Sequence, residues 1–354
     1  MTMSLSEQFL AFDCVFTQDQ MQAYLSSIYQ QSGLNKALDK LYQWAFGVGY
    51  LTESKLNDNK RYRFADPETG VCFRTQINIA RSSYTPKPIK GKNIPKLHCP
   101  ICYENVGIPG KEDLRVFGFD LSPGRPFFVQ LTPFPLFPKH FVLVDRQPRP
   151  MIMEKQSVQD LVDFIQLASG YTGCSNSDVE WAGASILVHH HYQVFDDLQL
   201  PIMEAQVIEA FSGRMGQASL GLLHYPIATC RLVSPDASEF IDLAGRIIAI
   251  WKQQDPGHNT CNLVIRKLVT GCYEAHIIFR NPAYLTPPSL TKIKSEGVGI
   301  IEVAGEGIYP VPDTQALWQE IERDGLAVIK GIIAGNNPVK RAHFGDLFAL
   351  LLTA

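Results

Sequence analysis

Three consecutive histidines, His189, His190 and His191, followed by Tyr192 and Gln193, are where this chain concentrates reactive side chains. In an extended strand successive side chains alternate faces, so His189, His191 and Gln193 point one way and His190, Tyr192 and Val194 the other. Two imidazoles and an amide on one face suit work on a phosphate: one ring attacks phosphorus, one holds a metal, and the amide donates hydrogen bonds to oxygen. With a reference pKa of about 6.5, imidazole is largely unprotonated and nucleophilic at neutral pH. A second cluster is His98-Cys99-Pro100-Ile101-Cys102, whose CxxC spacing lets two sulfurs reach one metal from a tight turn. Its remaining ligands must come from elsewhere, with histidines as candidates and His98 the adjacent competitor. A thioredoxin-like redox role fits poorly, because Pro88 and Pro95 break the region where a preceding strand would lie. His140 sits where a Pro-rich apolar crossing, residues 133–139, re-enters a strand; taken alone it reads as a strand-edge polar residue as readily as a ligand.

The elements that must position these residues are legible in outline. Residues 184–195 contain no Pro or Gly and are rich in Val, Ile, Leu, Tyr and Phe, which predicts a strand. Apolar residues at three- and four-residue spacing predict helix over 5–47, closed by Gly47 and Gly49. A hairpin follows around the turn at 66–70, leading into Asn78-Ile79-Ala80-Arg81, and then a basic, Pro-containing loop at 84–98. Strands are expected at 114–119, 127–131, 140–144, 261–266 and 272–280. Helices are expected from Ser157, read as a cap with Asp160 in the capping-box position, to about Ala168, and over 235–253. A further helix runs from an Asp313 cap to Gly325, and a last one spans Phe344 to Leu352. Residues 173–178 read as a turn-rich approach to the histidines. His276, alone on a strand ending Ile-Ile-Phe, hints at a degenerate repeat of the first half.

With 354 residues, 45% hydrophobic and 19% charged, the chain is long enough for two packed units. A net charge of −3 with scattered Lys and Arg argues against nucleic acid as a partner. No apolar run is long enough to span a membrane and the first residues do not read as a signal peptide. Eight dispersed cysteines fit a reducing cytoplasm with a metal site better than a disulfide framework.

Cys99-Pro100-Ile101-Cys102-Tyr103-Glu104-Asn105, Pro138-Lys139-His140 and Gly183-Ala184-Ser185 with His189-His190-His191-Tyr192-Gln193 fall in that order. Together they resemble the CPxCxxN, P-x-H and HxHxQ motifs of the galactose-1-phosphate uridylyltransferase branch of the histidine triad superfamily. That branch includes GDP-hexose phosphorylases and diadenosine tetraphosphate phosphorylase. The likeness extends over about 73–312. It implies an α+β, histidine-triad-like fold of two related units with antiparallel sheets. The expected division is an N-terminal region 1–90, a catalytic half 91–215 and a degenerate half 216–354. It implies His191 as the nucleophile that takes a nucleoside monophosphate, and Gln193 as the amide binding the transferred phosphate. Ser185 and, less directly, Arg81 would contact the nucleotide, and Cys99, Cys102, His140 and His189 would hold a structural zinc. The expected activity is nucleotidyl transfer or phosphorolysis of a nucleoside diphosphate sugar or dinucleoside polyphosphate through a nucleotidyl-histidine. Hydrolysis of the same substrates, or an idle zinc-stabilised nucleotide-binding protein, are the alternatives; an oligomer is compatible with either. This chain has His190 where the uridylyltransferases proper have proline, and Ser185 lies four residues before His189, a spacing closer to the phosphorylase-like members.

Overall fold

Apolar positions three and four apart bury Met21 and Leu25 on helix α1 (Gln18–Ser32) and Leu38, Leu41 and Trp44 on α2 (Leu34–Gly47). The helical region expected over 5–47 contains these two helices, between which Gly33, at φ +82°, turns the chain. The computed structural model describes residues 16–77, 79, 99–183, 186–309 and 315–354. The expected start of the first helix, the 84–98 loop and the Asp313 cap lie outside those residues. After a short helix α3 (Glu53–Asn57), strands β1 (Lys60–Ala65) and β2 (Cys72–Ile77) form the expected hairpin.

Ten antiparallel strands make the main sheet: β3 (Val116–Asp120), β4 (Pro126–Leu131), β5 (His140–Asp145), β6 (Tyr171–Ser175), β7 (His191–Asp196), β8 (Val207–Met215), β9 (Ala218–Leu223), β10 (Thr229–Ser234), β11 (Thr260–Lys267) and β12 (Tyr273–Arg280). Their spatial order is β3-β4-β5-β7-β6-β11-β12-β10-β9-β8. The order has the same connectivity read from either edge: three strands, a helix, then two strands, the last inserted beside the third. The intervening helices are α4 (Lys155–Leu167) and α5 (Ala237–Gln254). One register row crosses all ten strands: Val116, Gln130, Val142, Gln193, Cys174, Val264, His276, Arg231, Gly221 and Ser212.

Strand alternation divides the core into two layers. Tyr192 and Val194 on β7, with Tyr273, Ala275, Ile277 and Phe279 on β12, pack under α4 and α5. Phe195, Cys174, Val264 and Ile278 face the opposite layer. That layer is a small sheet in which β13 (Glu306–Tyr309) adds in parallel to β2, together with α6 (Ile300–Val303) and α7 (Gln315–Gly335); α8 (Phe344–Leu351) closes the chain near β8 and β9.

Several expectations change. Of the stretch 173–178, read as turn-rich, the first three residues belong to β6, buried throughout at the sheet centre; a Cβ on Gly173 would stand 2.6 Å from Leu161, so the glycine admits α4. Glu154, not Ser157, caps α4, while the Ser157 hydroxyl accepts from the Glu154 N–H at 3.2 Å and Asp160 turns inward. Helix α5, expected over 235–253, is capped by Asp236, whose carboxylate accepts from the Glu239 N–H at 2.7 Å. The stop expected at Gly325 falls at a kink: Asp324, at φ −114° and ψ 16°, leaves helical geometry, and a second helical stretch of α7 follows directly to Gly335; a Cβ at 325 would collide with the Phe64 ring.

Candidate functional site

The expected strand at 184–195 is regular only from His191 onward. Residues 184 and 185 lie outside the described part, and 186–190 run beside 146–151 without a regular ladder. Pro148 and Pro150 in that opposing segment have no N–H to give, which ends the pairing. Isolated bonds survive: the His190 N–H to Arg149 O at 2.6 Å, Asp145 N–H to His190 O at 3.0 Å and Met151 N–H to Leu187 O at 2.8 Å. They fix the histidines without a continuous sheet.

His189 is fully buried, with Nδ1 3.3 Å from both the Cys99 and Cys102 sulfurs. Its Nε2–H donates to the Asp145 carbonyl at 2.8 Å, which leaves the Nδ1 lone pair aimed at the sulfurs. Cys99, Cys102 and His189 offer ligand atoms within 4.8 Å of one another and could hold a metal ion. Two soft sulfurs and an imidazole nitrogen fit zinc. Burial, and then the neighbouring Cys99 sulfur, push the Cys102 thiol up to about 12, a thiol that a dication would turn into a thiolate. Ile101 and Leu114 seat this segment on Val116, Phe128 and Val144 of the sheet, and Arg146 lies over the Tyr103 ring, 3.2 Å from its centroid.

His140 is not part of this cluster, contrary to the ligand set expected for it. It opens β5, opposite Phe195, whereas His189 lies beyond the other end of that strand, next to Asp145. Its Nδ1 accepts from the Leu136 N–H at 3.4 Å, so its Nε2–H donates to Gln193 Oε1 at 3.1 Å. Burial lowers its pKa to about 3, against the opposing effect of the Gln193 bond, and keeps the ring neutral. With its oxygen occupied by His140, Gln193 has its NH₂ left to donate. Lys139, held at φ +49°, ties this corner to α2 and β7 through Asp39 at 2.8 Å and Asp196 at 2.7 Å.

His191 and Gln193 share one face of β7. The His191 Nδ1–H donates to the His189 carbonyl at 2.7 Å, and its backbone N–H reaches Met151 Sδ at 3.3 Å. Burial lowers its pKa, partly offset by the bond to His189 O. A neutral ring protonated on Nδ1 has its lone pair on Nε2, the arrangement a nucleophile requires.

The opposite face carries a network the sequence did not announce. His190 Nδ1 accepts from the Ile152 N–H at 3.4 Å, and its Nε2–H donates to the Tyr192 hydroxyl at 2.5 Å. Tyr192 donates to Asp160 at 2.9 Å, and Asp160 is clamped by Arg125 through two bonds of 3.2 and 2.5 Å. Burial takes His190 down to about 4, against the pull of Asp160 and Asp145. Only the alternation of His190 and Tyr192 hinted at this; Asp160 had looked like a helix-capping residue. Ser185, Arg81 and His98 lie outside the described residues.

Residues 53–196 match the family described as a domain of unknown function (DUF4922). The chain is 27% identical over 321 residues to a galactose-1-phosphate uridylyltransferase of Caldanaerobacter subterraneus subsp. tengcongensis, covering 80% of this chain and 61% of that protein. It is 28% identical over 325 residues to galactose-1-phosphate uridylyltransferase 2 of Streptococcus pneumoniae, covering 81% of this chain and 63% of that protein. The chain thus spans somewhat less than two thirds of the length of these relatives. Among solved structures, yeast Ap4A phosphorylase Apa2 in complex with AMP superposes with a TM-score of 0.53 at 15% identity, over 85% of this chain and 97% of Apa2. The Ap4A complex of Apa2 gives 0.53 at 13% identity, over 85% and 96%. The chain is a distant homologue of the galactose-1-phosphate uridylyltransferases, and its α+β, antiparallel architecture is that of Apa2.

Proposed function

We propose that this protein is a nucleotidyltransferase or phosphorylase that cleaves a sugar nucleotide or dinucleoside polyphosphate at the α-phosphate, with His191 as covalent nucleophile. The observation that carries this reading is the 2.7 Å bond from His191 Nδ1 to the His189 carbonyl, which leaves Nε2 unprotonated in a ring kept neutral by burial. The Nε2 lone pair attacks the α-phosphorus. The bond from phosphorus to the bridging oxygen breaks, and the leaving group departs on that oxygen with the electron pair. An acceptor oxygen then attacks the same phosphorus, the P–N bond breaks, and the pair returns to Nε2. Two inversions give net retention. The Gln193 NH₂ would hold a non-bridging oxygen as charge gathers there, an electrostatic role aided by the dry surroundings. His140 would orient that amide, and Arg81 and Ser185 are proposed nucleotide contacts.

Zinc at Cys99, Cys102 and His189, when bound, would act structurally, with His98 the proposed fourth ligand. It would hold His189, whose carbonyl accepts the hydrogen bond from His191 Nδ1–H. The Apa2 structures with AMP and Ap4A support nucleotides as ligands. We also read the two five-stranded halves as a degenerate duplication, with Glu274 standing at the register position of His191 and only the first half active.

The test is to incubate the chain with Ap4A or a nucleoside diphosphate sugar, α-³²P-labelled, with and without inorganic phosphate. A base-stable, acid-labile label is expected on the peptide containing His191, discharged by phosphate, and absent from His191→Gly. Label on another residue, or full turnover by His191→Gly, would refute the reading.

A further inference from the structure

The two halves of the main sheet differ in what covers one of their faces. In the first half, Val116, Phe128 and Val144 are the floor on which the Cys99–Leu114 segment packs. Counting outward from the β6–β11 junction, the matching residues of the second half are Ser212, Ser219 and Val233. Among the described residues no such segment lies over them, and the face opens as a groove of about 490 Å³. That volume is within the range of small-molecule sites and accommodates a nucleotide.

The groove's polar groups are predominantly cationic or hydrogen-bonding. Arg231, in the position of Val142, is partly buried; its bond to protein is a 3.3 Å donation to the Ala205 carbonyl. Arg214 makes a marginal 3.5 Å contact with the Gln217 carbonyl. Neither guanidinium has a carboxylate within ion-pair distance among the described residues. The groove's one acid, Glu274, is already neutralised by Arg266 at 2.7 Å. Beside Arg231 across the β10–β12 pair stands His276, wholly buried, with both ring nitrogens lacking a partner among the described residues. Where the first half presents an apolar seat to its own chain, the second presents two serines and two guanidiniums with no carboxylate partner among the described residues. Guanidinium forks match phosphate oxygens in charge and geometry.

We propose that this groove is a second ligand site, for a phosphorylated small molecule of nucleotide size, held by Arg231 and Arg214 in the other half of the sheet from His191.

The experiment is calorimetric titration of the full chain with AMP, and with adenosine as the uncharged control. An AMP-binding event is expected that weakens at least about tenfold in Arg231→Gln, the loss of one charge-assisted bond. The same event should weaken in Arg214→Gln, fade with added salt, be absent with adenosine, and persist in His191→Asn. Arg214 is exposed on edge strand β8, so its variant carries the test if Arg231→Gln proves unfolded by circular dichroism. The proposal is overturned if AMP does not bind, if adenosine binds equally, or if all binding depends on His191 and none on either arginine. Because the event is identified by its arginine dependence, it is read independently of whether His191 forms a covalent intermediate.

Discussion

Tyr192→Phe isolates the network behind the histidines. The hydroxyl accepts from His190 at 2.5 Å and donates to Asp160 at 2.9 Å, and both partners are buried. A hydrogen bond to a charged group contributes about 1.5–3 kcal/mol, and stranding a buried donor costs about 1–3 kcal/mol. Asp160 keeps Arg125 and a 2.8 Å bond from Gln156, so most of the penalty falls on the His190 Nε2–H. A net loss of about 3 kcal/mol follows. For 354 residues, at roughly 2.1 cal/mol/K of unfolding entropy per residue, that is a fall in Tm of about 4 °C. The assay is urea unfolding of the wild type, Tyr192→Phe, His190→Leu and the double variant. Once His190 is gone the hydroxyl serves only Asp160, so Tyr192→Phe should cost about 1–2 kcal/mol less in that background. Strict additivity, or a single-variant loss under about 0.5 kcal/mol, would refute the bridge. Zinc content should be unaffected in every variant, because none touches Cys99, Cys102 or the His189 ring.

His140→Asn should retain about one zinc per chain by elemental analysis, whereas His189→Asn and Cys102→Ser should lose it. Zinc loss in His140→Asn would show that the ring leaves Gln193 for the sulfurs. The same His140 variant should slow nucleotidyl transfer by about tenfold, the worth of one orienting hydrogen bond, with little change in KM. An unchanged kcat would remove His140 from the orientation of Gln193. His140 and His276 are both held neutral by burial, their pKa lowered to about 3 from the ordinary 6.5. The unfolded chain therefore takes up more protons below about pH 6.5, and stability present above that pH is lost as pH falls. For the two rings the loss should reach about 3 kcal/mol by pH 5.5, read by urea unfolding. His276→Leu should lower the proton uptake on unfolding by about one at that pH, and a pH profile identical to wild type would contradict the buried neutral ring.

Residue type and spacing determined much of the site. Cys99 and Cys102 had to lie within reach of one metal, and the period of a strand placed His191 and Gln193 on one face with His190 and Tyr192 on the other. Both are short-range facts, set by a few bonds of chain. The fate of His140 was a long-range fact. Whether it reaches the sulfurs or the amide depends on which end of β5 lies beside His189, and that is fixed by the antiparallel register with β7. Strand β6 escaped notice because Gly173, Cys174 and Ser175 have little strand propensity; burial between β7 and β11 overrides it. Asp160 looked like a cap because Ser157 precedes it by three residues, yet its carboxylate is drawn inward by Arg125 and Tyr192, partners 35 and 32 residues away. The groove over β8–β10 was invisible for the same reason. Among the described residues, one half of a near-symmetric sheet is covered by its own chain and the other is not, a difference that appears only when the two halves stand side by side.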